Sequence, residues 1–286
     1  MLTFNHPLPA SQLPERKQSS LIGIEVEVEN CSQMIKHELW GSVADSSLKL
    51  NGIEYVSKVL TKQEVPIALE SLYKNVKALK DKTALFSPRT SIHIHSDARW
   101  MSGAADLIPL IFFYLLVEDL MYAFVEPHRR KNIFCVKTKE THYLRPMFVQ
   151  QSIDTSHLFK YAGFNLRSLG EHGTVEFRML EGTYDLDKIN TWVNFIHTIQ
   201  DYAKSSSLGM AFRREVKKPD RARDLIFQQF SHFFSDAQIE NSIQAGLSYF
   251  RYLVCEPIPL AIKNHMTSPD FLKSKFYIKN FVRLDK

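Results

Sequence analysis

The stretch 21-LIGIEVEVEN-30 alternates without a break, with Ile22, Ile24, Val26 and Val28 on one side and Glu25, Glu27 and Glu29 on the other. A period of two marks a β-strand with one buried face and excludes an amphipathic helix here. The pattern also carries a cost. Residues i and i+2 lie roughly 6.5–7 Å apart on one face, so three like charges repel along a single strand. Either the acids dissolve at a solvated sheet edge or a cation draws them together, and this segment alone leaves both readings open.

Two more segments share the division into an apolar and an ionisable face. The strand 91-SIHIH-95 carries His93 and His95, and 173-GTVEFRML-180 carries Glu176 and Arg178 in line with Thr174. Singly, these read as half-exposed histidines and a surface ion pair. Asp45 reads as a turn residue. Asn51–Gly52 is the favoured pair for a tight turn, which predicts a hairpin over 46–57 with Glu54 opposite Lys49. As neighbours in one sheet, however, the three strands bring carboxylates, imidazoles and a guanidinium to one surface.

Several carboxylates with one or two imidazoles and no thiolate favour Mg²⁺ or Mn²⁺ over zinc. Mg²⁺ usually completes its shell with substrate phosphates, and an arginine grips phosphate oxygens in pairs. The residues thus point to a Mg²⁺–nucleotide site on a sheet. No G-x-x-x-x-G-K-[ST] occurs, which excludes a P-loop.

Helical spacing predicts an amphipathic helix over 65–80. The apolar run 107-LIPLIFFYLLV-117 is too short to span a bilayer and leads into Glu118 and Asp119, so it reads as a buried helix over about 103–126. A strand is expected near 132–136, two more over 161–168 and 173–180, and a helix over 188–204 capped by Asp187. Beyond Ser205–Ser207 the chain reads as helical, with Phe227, Phe230, Phe233, Phe234, Ile239, Ile243, Leu247, Phe250 and Leu253 as core candidates. Strands come in hairpins or between helices without a βαβ rhythm, so the class is α+β with a mainly antiparallel sheet. The organisation expected is an N-terminal arm (1–19), a catalytic domain (20–204) and a mostly helical C-terminal extension packed on it (205–286).

The arm lacks a cationic start before an apolar core, so it does not read as a signal peptide. Three distant cysteines argue against a disulfide framework and for a reducing, cytoplasmic location. A net charge of +5 does not by itself imply nucleic acid. The basic stretch 212-FRREVKKPDRAR-223 and the cluster Arg129, Arg130 and Lys131 are the segments that would contact it, or else are solvated loops.

The order of motifs resembles the amidoligase family, a branch of the carboxylate–amine ligases that includes glutamine synthetase and glutamate–cysteine ligase. The residues are G-I-E-V-E at 23–27, Trp40 with D-S-S-L at 45–48, G-I-E-Y-V-S at 52–57, S-I-H-I-H at 91–95, Y-x-x-x-N at 161–165 and G-T-V-E-F-R at 173–178. The likeness covers about residues 20–200. It implies an antiparallel sheet forming a funnel-like active site, as in the glutamine synthetase/guanido kinase-like catalytic fold, with helices packed behind it. It also implies ATP, two or three divalent ions, and an acyl-phosphate intermediate that an amine converts to an amide.

Carried over by position, Glu25 and Glu27 match first-strand metal ligands, Glu54 a ligand in the second segment with Asp45 as helper, and His93 a metal-binding histidine. His95 matches the histidine nearer the nucleotide, Glu176 the last metal-binding carboxylate, and Arg178 the arginine on the transferred phosphate. Glu54, Glu176 and Arg178 are thereby expected to carry the chemistry. Arg167 is expected on ATP and Asn165 on the substrate. Glu29 has no counterpart and is expected to be solvated. Two other functions fit the same residues: a metal-dependent hydrolase using the Glu/His cluster, and a non-catalytic nucleic-acid-binding protein with this fold.

Overall fold

The protein is described here by a computed structural model covering residues 21–31, 37–49, 52–78, 85–101, 104–141, 143–145, 148 and 161–255. Six strands form one sheet: β1 (Ile22–Val28), β2 (Trp40–Ala44), β3 (Ile53–Ser57), β4 (Ser91–Asp97), β5 (Phe164–Asn165) and β6 (Thr174–Glu181). Their order is β2-β3-β1-β4-β6-β5, and every neighbouring pair is antiparallel. The helices are α1 (Glu64–Ala78), α2 (Ala104–Phe124), α3 (Thr138–Thr141), α4 (Ser168–Glu171), α5 (Leu186–Lys204), α6 (Met210–Lys217), α7 (Asp220–Phe230) and α8 (Asp236–Cys255). The class is α+β with an antiparallel sheet, as the alternating segments predict.

The chain forms two compact units, each assembled from separate stretches. One comprises Met1–Trp100, Val125–Val136 and Lys160–His197; the other comprises Met101–Phe124, Lys137–Phe159 and Thr198–Lys286. The sheet and α1 belong to the first. There the apolar side of β1 is fully buried, as is the stripe Val65, Ala68, Leu69, Leu72 and Val76 of α1. A T-x-x-E capping box opens α1: the Glu64 carboxylate accepts bonds from the Thr61 N–H (2.7 Å) and hydroxyl (2.8 Å). The Trp40 indole N–H donates to the Ala68 carbonyl (2.9 Å), which ties β2 to α1.

In the second unit, α2 packs against α8 at close range. Ser242 Oγ donates to the Leu116 carbonyl (2.7 Å), and a Cβ on Gly246 would lie 2.1 Å from the Leu115 oxygen. The rings of Phe112, Phe212 and Phe250 interlock nearby, with Phe112 4.9 Å from Phe250 and 5.3 Å from Phe212. The apolar run lies in a helix, Ala104–Phe124, close to the expected bounds. Asp106–Phe124 passes as a membrane span by length and composition, although 83% of that window is buried inside the protein. Phe230, Ile239, Ile243, Leu247, Phe250 and Leu253 are buried as expected, whereas Phe233 is 46% exposed and Ala222 and Ile226 fill core positions instead.

Four local expectations are corrected. β3 pairs with β2, in the register Ala44↔Ile53 and Val43↔Glu54, so Glu54 faces Val43 rather than Lys49. The connection runs from Asp45 to Gly52, closed by the Asp45 N–H on the Gly52 carbonyl (3.0 Å), and Asn51 lies outside the described residues. Residues 132–135 form turns, with a single parallel bridge between Val136 and Ala162. The stretch 161–168 contributes only the two-residue β5, and α4 fills the turn before β6. Helix α5 starts earlier than expected, because Asp185 and not Asp187 accepts the Lys188 N–H (2.9 Å).

The α2–α8 contact leaves no room for a methyl group at 246. Gly246→Ala is expected to destabilise the protein by about 2 kcal/mol or more through overpacking against backbone, read as a lowered urea midpoint with an unchanged slope. An unchanged midpoint would mean that the two helices do not approach as described.

Candidate functional site

Register brings the ionisable residues together. Glu27 lies directly opposite Glu54 on β3, Glu25 opposite His93 on β4, and Glu176 opposite both His95 and Asn165. Like charges directly opposite each other destabilise a sheet, so the polar bonds between them are informative. Glu25 is flanked by His93 Nδ1 and His95 Nε2, each at 3.1 Å. Glu27 accepts from the Ser91 N–H (2.9 Å) and hydroxyl (2.6 Å). Glu176 pairs with Arg178 and accepts from Asn165 Nδ2 (2.7 Å).

The proton count at His93 is revealing. The Ser91 hydroxyl gives its one proton to Glu27, so His93 Nε2, 2.8 Å from that oxygen, must donate to it. On its other side, His93 Nδ1 lies 3.1 Å from Glu25 Oε2 and 3.5 Å from Glu176 Oε1, so the ring links Ser91 to both carboxylates. His95 is fixed from its other side by Thr174, with Nδ1 2.9 Å from Oγ1.

Two sets of three donors have ligand atoms within 4.8 Å of one another: Glu25, His95 and Glu176, and Glu27, Asp45 and Glu54. Electrostatics agree with that grouping. Burial and then the charges of Glu25, Glu27, Asp45 and Glu176 push Glu54 up to about 8. Burial opposes ionisation of Glu25 and Glu176 as well. There His95 and His93 outweigh it for Glu25, and Arg178 with the same histidines for Glu176, so both carboxyls titrate below the usual range. His95 goes up to about 9, because Glu25 overrides its desolvation. A hard divalent cation with oxygen preference suits both donor sets.

A β-bulge shapes the far side of the site. Ile92 pairs with Leu180 but Ile94 with Phe177, so His93 faces two residues, Arg178 and Met179. Arg129, 1% exposed, donates to the carbonyls of Arg178 (2.7 Å) and Met179 (3.2 Å). Arg129 is thus an internal brace, not part of a surface basic cluster. The consecutive apolar pair Met179–Leu180, which breaks the alternation of β6, was its sequence signal.

A cleft of about 350 Å³ opens on this face, lined by Glu25, Glu27, Asp45, Glu54, His93 and Arg178 among others. His95, expected on the nucleotide side, does not line it and sits 3% exposed behind Glu25. Asn165 has both ends of its amide engaged, on Glu176 and on the Arg167 N–H (2.9 Å). Arg167 is the N-cap residue just before α4 and is also not among the lining residues.

Glu29 is corrected outright. It is 1% exposed, not solvated, and holds Arg89 through two bonds of 2.8 and 2.7 Å while accepting the Lys49 N–H (2.8 Å). Arg89, Ser91, Phe134 and Tyr161 line the cleft and escaped the sequence reading. For Ser91 the signal was present, since it precedes His93 by two positions on the same face. The basic residues of 212–223 lie on α6, α7 and their connection, where Arg223 pairs with Glu240, Lys218 with Asp220 (3.1 Å), and Arg221 stacks over Tyr202 (4.9 Å).

The sequence matches a family model described as "putative amidoligase enzyme" over residues 27–200, more than half of the chain. No curated protein matches it.

The two raised groups set a pH dependence. Glu54 (ordinary value 4.5) and His95 (6.5) both titrate higher in the folded state. Each therefore adds stability that is fully present below its ordinary value and is lost as pH rises through its folded value. In EDTA the melting temperature is expected to fall between pH 6.5 and 9, and Glu54→Gln to flatten that slope. Millimolar Mg²⁺ or Mn²⁺ should raise it, more at pH 8.5 than at pH 6. A metal-free melting temperature that climbs over this window would contradict the arrangement.

Proposed function

Because this chain belongs to the amidoligase family, as its match over residues 27–200 shows, we propose that it is an ATP-dependent carboxylate–amine ligase. In this reading the antiparallel sheet forms a glutamine synthetase-like, funnel-shaped active site. The observation that carries it is the pairing of two three-donor sets with Arg178 on one sheet face. Six ionisable groups crowded so closely suit a polyphosphate held by divalent ions better than a single hydrolytic ion. When bound, Mg²⁺ would supply charge neutralisation for the phosphates, held by Glu25, His93, His95 and Glu176 on one side and by Glu27, Asp45 and Glu54 on the other.

The chain's own residues then have distinct tasks. Arg178, anchored on Glu176 and on the Phe134 carbonyl (3.4 Å), presents its remaining N–H groups to the oxygens of the transferred phosphoryl group. Asn165 holds Glu176 in place, and Ser91 and Thr174 orient Glu27 and His95. An acid carboxylate oxygen attacks the γ-phosphorus and ADP leaves, giving an acyl phosphate. The amine nitrogen then bonds to the acyl carbon, phosphate departs, and the nitrogen gives up a proton. The cleft walls limit water, which would otherwise hydrolyse the acyl phosphate.

The test is ADP formation with Mg²⁺ across panels of carboxylates and amines, with hydroxylamine added to trap an acyl phosphate as a hydroxamate. Turnover is expected to need both partners and the metal. Glu25→Gln and Glu176→Gln are each expected to lower it about a hundredfold or more. Full turnover in both variants would remove the site assignment, and carboxylate release without ADP would favour a hydrolase.

A further inference from the structure

A cleft that only gripped metal ions and phosphate would have no use for exposed hydrocarbon. Yet Val43, Phe134 and Tyr161 line this one at 49%, 39% and 45% exposure. Phe134 and Tyr161 meet edge to face with ring centroids 5.3 Å apart. Their backbones are fixed to the sheet margin. The Val136 N–H donates to the Tyr161 carbonyl, the Gly163 N–H to the Val136 carbonyl and the Arg178 N–H to the Gly163 carbonyl, each at 2.8 Å. Arg178 Nε also donates to the Phe134 carbonyl (3.4 Å), so the aromatic wall stands immediately beside the guanidinium.

That adjacency chooses between occupants. In ATP the base is held away from the γ-phosphoryl group by a ribose and two further phosphates. A ring beside the residue that grips the γ-phosphoryl is therefore badly placed for the base. The acid substrate is well placed, because its carboxylate must come within about 3–3.5 Å of the reacting phosphorus.

We propose that Phe134 and Tyr161, with Val43, hold the apolar body of the acid, so that the substrate carries an aromatic or bulky aliphatic group near its carboxylate. This rests on the ligase reading, with Arg178 at the transferred phosphoryl group. The same wall covers the acyl phosphate with hydrocarbon and slows its loss to water.

The experiment compares 3-phenylpropionate with glutarate on the full chain, with Mg²⁺ and a non-hydrolysable ATP analogue, by saturation-transfer NMR and titration. Phenylpropionate is expected to bind at least tenfold tighter, with saturation reaching its ring protons. Phe134→Ala and Tyr161→Ala should each weaken it about tenfold and leave the nucleotide Kd within twofold. Phe134→Leu, which keeps apolar bulk at that position, should retain most of the binding. Equal affinity for the two acids, no binding of phenylpropionate, or alanine variants that weaken nucleotide and spare the acid would each overturn the proposal. Nucleotide binding and ADP formation are read separately, so failure of the ligase reading shows there and not in the preference between acids.

Discussion

Carboxylates forced together on one sheet face set the terms for the rest of the sheet unit. Strand pairing puts Glu27 directly against Glu54, and like charges so placed repel. The surrounding residues offset most of it locally. Two imidazoles face Glu25, a guanidinium faces Glu176, and Ser91 gives two hydrogen bonds to Glu27. Glu54 is left among carboxylates, and burial, with their repulsion added, raises its pKa. A site left in that condition is arranged for positive charge brought from outside.

A second layer of residues keeps this charged layer in place. Thr174 orients His95, Asn165 orients Glu176, and Arg129 binds the carbonyls that the bulge in β6 turns out of the ladder. The bulge matters because it sets two β6 residues against His93, which places Arg178 beside both the histidine and Glu176. Burying Arg129 without these carbonyls would cost far more than it returns. The ion pair of Glu29 with Arg89 does related work at the other end of β1. It carries the third acid of the row, which sequence alone left in solvent.

Much of this was legible in the chain itself, for a definite reason. The period-two patterns at 21–29, 91–95 and 173–178 fix which side chains share a face, and the bonding between those faces follows once the strands are neighbours. What sequence could not supply was register. Asn51–Gly52 pointed to a tight hairpin, but pairing with β2 won because Trp40 gains a buried place and a bond to Ala68. Glu54 therefore moved from facing Lys49 to a place among the acids. Arg129 looked like one member of a basic surface cluster because periodicity carries no signal for a buried arginine on a loop. Phe134 and Tyr161 escaped for a similar reason: a turn gives no alternation from which to read a face.

Interleaving of the two units has a consequence for how the chain is made on the ribosome. Strand β4 takes β1 as one neighbour early, but its other neighbour, β6, begins only at residue 174. Throughout that interval the newly made chain carries an unsatisfied edge on the strand of Ile92 and Ile94, as well as the freshly emerged apolar helix α2. Early release of the nascent chain would expose both at once. Nor does any single cut divide this protein into two self-sufficient halves, since each unit is threaded from three stretches. Vectorial synthesis therefore delivers an incomplete sheet for most of its course, and the charged face of the sheet can assemble only after β6 has emerged.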